Sequence, residues 1–426
     1  NLHEQLRRLP GIGSKTAMRL AYHIIDMSEE DVRRLAQALT NAKEQIHYCR
    51  SCFNLTDGDV CEVCADPTRD KFTVCVVEQP QDIAAIEGVD VVLGNNDKGD
   101  LYRRVAELQE HTEAEVYRCS YDQINRFFAA YSSGDRTRSF LKVQDGCDYK
   151  CAYCTIHYAR GASRNISIAE IVREAEEIAQ SGQKEIVITG VNTGDFGRTT
   201  GERFIDLLKA LDKVEGIERY RISSIEPNLI TDEIIEFCAE SPRFVPHFHI
   251  PLQSGSTRIL GLMRRRYTAE KYRERIAKIR ELMPDSFLGV DVIVGFPGEG
   301  EEEFMETYRL LEEVGASFLH IFPFSERPGT PAIDLPNKVQ SSISTERVSR
   351  LEELSTRLHN DFAKRYLGTE REVLFESTDR RGMMYGYTDN YLRVKCKYDT
   401  SKINQICMVR LLEIDTDGDI MAEIVG

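Results

Sequence analysis

Cysteines 147, 151 and 154 fall within eight positions of a 426-residue chain, in the stretch DGCDYKCAYC. Three thiols so spaced are one too few for a closed tetrahedral zinc site and one too many for a disulfide. His157 is near enough in sequence to complete a zinc site, but closed zinc sites usually draw their ligands from two paired turns. One compact turn of three thiolates suits a cubane [4Fe–4S] cluster with one iron left open. Cys49, Cys52, Cys61 and Cys64 form a different pattern, two Cys-x2-Cys knuckles in CRSCFNLTDGDVCEVC. That spacing closes a tetrahedron and points to one structural zinc ion.

The sequence carrying these thiols opens NLHEQLRRLPGIG, with no apolar leader, and no apolar run approaches membrane-spanning length. Twelve cysteines in 426 residues are too sparse for a disulfide scaffold. The expected setting is a reducing cytoplasm, where clustered cysteines do metal or redox chemistry, with no membrane partner.

The elements that must position the three-cysteine turn follow it. IAEIVREAEEIAQSG (168–182) has apolar residues at helical spacing and stops at a glycine, and EIVITG reads as a buried strand. The alternation continues through RFIDLLKALDKV and YRISSI, TDEIIEFCAE and HFHIPL, AEKYRERIAKIRELM and FLGVDVIVGF, then EEFMETYRLLEEVG and FLHIF. Helices and β-rich runs in turn predict parallel βα units with a site at the strands' C-terminal ends. Gly190, Asn192, Glu226, Gln253, Ser254, Asp291 and Gly295 fall at such ends and are the candidate cofactor contacts, with the glutamate foremost. Periodicity alone leaves a doubly wound sheet open.

A net charge of −15 argues against a broadly basic nucleic-acid binder. The charge is uneven: residues 258–280 hold nine Arg or Lys against two Glu, including Arg264, Arg265 and Arg266, while Arg160 and Arg164 flank the cysteine turn. Beside a reactive site such a run can neutralise phosphates. Residues 367–426 change to short strand-like runs divided by turns, a small β-barrel pattern, with 8 basic and 11 acidic residues. Within it Tyr385, Tyr387, Tyr391 and Arg393 offer stacking and phosphate contact to RNA.

Cys-x3-Cys-x2-Cys with Tyr153 before the last cysteine resembles the radical S-adenosylmethionine enzymes. In that family the thiolates hold a [4Fe–4S] cluster, and the cofactor's amino and carboxylate groups take the open iron. RSFLKVQDGCDYKCAYCTIHYARGASR, ITGVNTGDFG, RISSIEPNLI, HIPLQSGSTRILGLMRRRYTAEKY, GVDVIVGFPGE and FPFSERPGTPA occur in order. Together they resemble the tRNA methylthiotransferases, most closely the MtaB branch, over roughly residues 83–426. The resemblance implies a multidomain α/β protein with a partial (β/α)6 barrel over 138–366 and a TRAM domain over 367–426. It further implies a tRNA substrate methylthiolated on N6-threonylcarbamoyladenosine beside the anticodon, and a flavodoxin-type electron donor.

The front resembles another family. LRRLPGIGSKTAMRLAYHII has the Gly-rich turn of a helix–hairpin–helix, whose backbone amides can meet a phosphate. With the zinc knuckles and RDKFTVCVVEQPQDIAAIE, it resembles the RecR-type recombination mediator, a DNA-binding partner in repair. The expected organisation is a helix–hairpin–helix (1–47), a zinc module (48–70), a truncated Toprim or methylthiotransferase remnant (71–94) and a linker (95–137). Methylthiotransferases usually begin with a domain whose three cysteines hold a second, auxiliary cluster. Only Cys75 falls near one of those positions, so weakened sulfur transfer is expected. A DNA-binding repair module with a passive barrel, or a gene chimera, is the alternative reading.

The two metal patterns are expected to be independent. Cys52→Ala should release the knuckle zinc and unfold the front segment, which has little core of its own. Metal analysis and a 5′-deoxyadenosine assay check this, with cofactor cleavage left at the parent level.

Overall fold

The computed structural model describes Leu2 and residues 14–45, 47–48, 55–56, 91–101, 103–104, 115–117, 119–132, 137–380 and 382–425. The four knuckle cysteines and Cys75 lie outside the described residues. The chain divides into two compact units, 1–119 and 120–426.

In the first unit, helices α1 (Ser14–Asp26) and α2 (Glu29–Gln45) follow one another directly. Ala17 and Ala21, one turn apart, are buried on α1. The Ser28 hydroxyl accepts from the Asp31 amide at 3.2 Å ahead of an acidic first turn in α2. Strands β1 (His47–Tyr48) and β2 (Leu55–Thr56) pair antiparallel, and β3 (Val91–Leu93) pairs parallel with β4 (Glu115–Tyr117). Residues 95–137, expected as a linker, thus carry a strand of the first unit. They also carry residues 120–132 of the second, where the Lys142 amide bonds the Ala130 carbonyl at 3.0 Å. Strands of three residues are too short to leave a periodic trace.

The second unit is built on six parallel strands. β5 (Arg138–Lys142), β6 (Glu185–Thr189) and β7 (Arg219–Ile222) pair in that order, as do β8 (His247–His249), β9 (Phe287–Val294) and β10 (Phe318–Pro323). Bridges Tyr220–Phe244 and Ser224–His249 join the two sets into one arc. Helices α3 (Ile156–Arg160), α4 (Ile168–Gln180), α5 (Phe204–Leu211), α6 (Asp232–Glu240), α7 (Thr257–Leu262), α8 (Ala269–Leu282) and α9 (Glu301–Glu313) connect them. Several starts are legible locally: Ser167 and Glu170 form a capping box on α4, and Thr231 and Thr268 cap α6 and α8.

Because successive side chains on a strand point oppositely, each strand has an outer and an inner face. Ile186, Ile188, Tyr220, Ile222, Phe248, Leu288, Val290, Val292 and Leu319 face the helices in one core. Arg138, Glu185, Arg221, His247, His249, Asp291 and His320, on the opposite parity, face inward.

Helix α10 (Ser341–Lys364) runs from this arc to a closed five-stranded barrel of β11 (Glu370–Arg380), β12 (Met383–Thr388), β13 (Arg393–Lys397), β14 (Ile406–Ile414) and β15 (Ile420–Ile424). Its core includes Val373, Phe375, Met384, Val394, Val409 and Leu411, together with Phe287 and Phe362 from outside. The small barrel docks on the N-terminal ends of the arc's strands. Tyr387 and Tyr391 stack at 4.7 Å, with Arg138 4.6 Å from the first ring and Arg221 4.4 Å from the second. Arg138 also bonds Glu376 at 2.6 Å. Among the described residues no helix is long and apolar enough to cross a membrane.

Arg221 and Glu185 pair at 3.1 Å with both side chains buried. Removing one partner strands a buried charge, so Arg221→Met should cost about 3–5 kcal/mol. The Glu185→Leu/Arg221→Met double variant should recover much of that loss, as read from denaturant melts.

Candidate active site

The cysteine turn leaves the C-terminal end of β5. Asp145 and Arg164 close it by an antiparallel bridge, with backbone bonds of 3.0 and 2.8 Å, and the Cys147 amide bonds the Gly161 carbonyl at 3.0 Å. Gly146 has φ 73°, and a Cβ there would lie 2.0 Å from the Ala162 carbonyl oxygen, so only glycine fits. The buried Gln144 side chain fastens this turn to the loop after β6. Its Nε2 donates to the carbonyls of Asp145 (3.0 Å) and Gly146 (2.7 Å) and to Ser163 (2.9 Å), while its Oε1 accepts from the Asn192 amide at 2.8 Å. Sequence reasoning missed this residue; its position three places before Cys147 was the available signal.

Cys151 is buried and Cys147 and Cys154 are half-buried. The sulfurs accept hydrogen bonds from the Tyr149 amide (Cys147, 3.4 Å), the Ile156 amide (Cys154, 3.5 Å) and Arg265 Nη1 (Cys151, 3.1 Å). Donors of this kind stabilise sulfur-borne negative charge and set cluster potentials. Burial pushes the free Cys147 thiol up to about 12 and raises Cys151, so thiolates here need a compensating positive centre. Among the described residues only His249, Asp291 and His320 gather three donor atoms within 4.8 Å. The donors to all three sulfurs fit thiolates of a cubane cluster.

Arg265, expected with its neighbours in an RNA-binding run, points into this site instead. Its guanidinium pairs with Glu226 and reaches the Tyr153 hydroxyl at 3.4 Å. The cause is the C-terminus of α7. The Arg264 amide bonds the Gly261 carbonyl at 3.0 Å and the Arg265 amide bonds the Leu260 carbonyl at 2.9 Å, a Schellman motif with Arg264 left-handed at φ 59°. This reversal turns Arg265 inward and leaves Arg264 and Arg266 exposed. Arg266 holds the cysteine turn from outside, donating to the Asp148 carbonyl at 2.8 Å and covering the Tyr149 ring at 4.0 Å.

Glu226 lies beside the cysteine turn through its pair with Arg265, and burial raises its carboxyl above the usual range even with Arg265 opposing. Burial likewise raises the Tyr153 phenol. Asn192 is buried with both side-chain atoms, Oδ1 and Nδ2, lacking a protein partner. Such a group needs a ligand or water to satisfy it.

Other expected contacts serve the scaffold. A Cβ on Gly190 would meet Gln144 at 3.0 Å, and one on Gly295 would meet Ser344 on α10 at 2.0 Å. Ser254 is fully buried and accepts from the Ser256 amide at 3.2 Å. Gln253, left-handed at φ 63°, bonds the Asp291 carbonyl through its amide at 2.8 Å and so extends the arc. Asp291 lies deeper, 2.8 Å from His249 Nε2.

Of the remaining RNA expectations, Arg164 is buried, donating to the Arg126 carbonyl at 2.7 Å and pairing with Asp145. Arg160 pairs with the same carboxylate at 3.4 Å and stays half-exposed. Burial works against the charge on Asp145, yet Lys142, Arg164 and Arg160 hold it below the ordinary carboxylate range. Tyr387 and Tyr391 have ring faces taken up by Arg138 and Arg221, so they dock the small barrel rather than offer stacking surfaces. Arg393 is half-exposed and pairs with Asp419 at 3.2 Å.

The model described as Radical SAM superfamily matches residues 141–311. With three thiols on one turn at the C-terminal end of a parallel arc, the chain is a radical S-adenosylmethionine enzyme. The RecR helix-hairpin-helix model matches 1–43, and the RecR four-cysteine zinc finger model matches 46–66. Threonylcarbamoyladenosine tRNA methylthiotransferase MtaB of Bacillus subtilis (strain 168) is 40% identical over 342 residues, 78% of this chain and 76% of that protein. The MtaB of Thermotoga maritima is 38% identical over 351 residues, covering 82% and 79%. The tRNA-2-methylthio-N(6)-dimethylallyladenosine synthase of Alkaliphilus oremlandii is 34% identical over 364 residues, covering 82% and 76%. The chain belongs to the tRNA methylthiotransferase family, on its MtaB side, and carries RecR-type modules in front.

Arg265 supplies both a hydrogen bond and a positive charge to Cys151. A bond of this type contributes about 1.5–3 kcal/mol. Arg265→Met should therefore make the reconstituted cluster harder to reduce by roughly 60–120 mV, taking ~59 mV per factor of ten. A redox titration followed by electron paramagnetic resonance checks the shift.

Proposed function

We propose that this chain methylthiolates N6-threonylcarbamoyladenosine beside the anticodon of a tRNA, using Cys147, Cys151 and Cys154 to hold a [4Fe–4S] cluster. The observation that carries the reading is the turn itself: three sulfurs on one short loop, each with its own N–H donor, at the C-terminal end of the arc. When bound, the cluster supplies the electron that cleaves S-adenosylmethionine. The protein's share is placement. Asn192 offers an unsatisfied buried amide to the cofactor, Glu226 an acceptor fixed by Arg265, and Tyr153 an apolar wall. Gly190, Gln253, Ser254 and Gly295 shape the rim through backbone and packing.

In this reading the arc is the partial (β/α)6 barrel of the family and the five-stranded barrel is its TRAM domain. Arg264 and Arg266, exposed beside the turn, would meet RNA phosphates, with Arg160 and Arg393 contributing charge from their pairs with Asp145 and Asp419. A flavodoxin-type donor supplies electrons. The RecR-type matches favour a second role for the front: phosphate contact with DNA through the helix–hairpin–helix, with Cys49, Cys52, Cys61 and Cys64 on zinc.

Anaerobic reconstitution tests the main reading. The parent chain should bind cluster iron and form 5′-deoxyadenosine, and mass spectrometry of threonylcarbamoyladenosine-containing tRNA should show the methylthio product at a low level, in keeping with the missing auxiliary-cluster cysteines. The Cys147→Ala/Cys151→Ala/Cys154→Ala variant should lose the radical-site iron, the cleavage and the product. Retained cleavage in that variant would sink the reading. Cleavage without product would place sulfur delivery outside this chain.

A further inference from the structure

The inner face of the arc holds one polar group that neither the cysteine site nor the docking of the small barrel uses. His249 ends β8, Asp291 lies in the middle of β9 and His320 is the third residue of β10. These strands are adjacent and parallel, with His249 opposite Gly289 and His320 opposite Asp291. All three side chains therefore project from one side of three neighbouring strands, Asp291 and His320 at one level and His249 two residues nearer the strand N-termini, its ring reaching up to the carboxylate. His249 Nε2 sits 2.8 Å from Asp291 Oδ1, and the two imidazole rings are 5.1 Å apart, inclined at 31°. One nitrogen from each histidine and one carboxylate oxygen lie within 4.8 Å of one another.

We propose that His249, Asp291 and His320 form a binding site for a borderline divalent cation of the zinc type, separate from the cysteine turn. Two imidazoles and one carboxylate, offered from one side, are a donor set that such ions favour over the hard cations, and they leave coordination positions open. Metal bonds of about 2.1 Å in a tetrahedron put ligand atoms about 3.4 Å apart. The His249–Asp291 contact is already inside that separation. The third donor, on the exposed His320 ring, lies within 4.8 Å of the other two and can close on an ion by ring rotation. The ion takes the place of the His249–Asp291 hydrogen bond. Its open positions face the interior of the arc, where water or an oxygen ligand completes the shell.

The level of the site on the strands is informative. Toward the strand N-termini lie Arg221, His247 and Phe287, packed on Tyr391. Toward the C-termini lies Ile293, two residues beyond Asp291, which packs in the cluster with Ala152 of the cysteine turn. The site thus occupies the middle of the interior, between the docked barrel and the cysteines.

The test uses the full chain, reconstituted with iron and sulfide, stripped of loosely bound metal and dialysed against Zn2+. His320→Ala and Asp291→Asn should each bind about one zinc fewer per chain than the parent, with iron per chain unchanged. Zinc-edge X-ray absorption should lose its nitrogen and oxygen scattering in the variants, while any zinc held by cysteines keeps a sulfur shell. His320 is exposed, so its alanine variant preserves the fold and decides the matter if Asp291→Asn does not fold. An unchanged zinc count, a parent shell of sulfur alone, or a loss shared by the iron would each overturn the proposal.

Discussion

Arg221 and Glu185 sit on the inner faces of adjacent parallel strands, 3.1 Å apart and shut off from water. They show what the arc demands of its sequence. The outer face of every strand is filled by helices, so the apolar residues go there. The inner face must stay polar enough to do chemistry, yet the small barrel covers its lower end. Each charge so covered needs a partner, because a lone buried ion costs several kcal/mol. Arg138 therefore meets Glu376 and Tyr387, and Arg221 meets Glu185 and Tyr391. At the upper end Arg265 answers Glu226, and Asp145 is answered by Lys142, Arg160 and Arg164. The small barrel and the arc share this requirement, which is why α10 and the docking tyrosines belong to one compact unit.

The alternation of helices and strands was legible in the sequence because its cause is local. Apolar residues recur at helical spacing in 168–180 and run unbroken through 186–188 of the next strand, and the caps at Ser167, Thr231 and Thr268 mark helix starts. The cysteine turn was legible for the same reason, since its three ligands lie on one short loop. What failed was whatever depends on a partner far along the chain. Nothing near Tyr391 announces Arg221, 170 positions earlier, so an aromatic on a small β-barrel reads as an RNA platform. Gly190 and Gly295 read as openings for a cofactor, but each makes room for a side chain, Gln144 in one case and Ser344 in the other.

Gln144 was invisible in a different way. One amide side chain fixes two carbonyls and a hydroxyl of the cysteine turn and the backbone of the next strand's loop. Glutamine carries no chemical signature of such a role; its place three residues before Cys147 marks it as a neighbour of the turn, and the geometry shows what it holds. The thiols are held by a loop whose own polar groups are largely spent on its shape, and this stiffness suits a site that must place a reactive centre.

The Schellman turn at the end of α7 has a practical consequence for mutagenesis. Three consecutive arginines invite replacement as a block, with the result scored as lost affinity for nucleic acid. Here the middle one touches a cysteine sulfur and a buried glutamate while its neighbours face outward. A block replacement would fold an electronic disturbance and a surface-charge change into a single number. Only substitutions made one at a time, at 264, 265 and 266, keep the two kinds of effect apart.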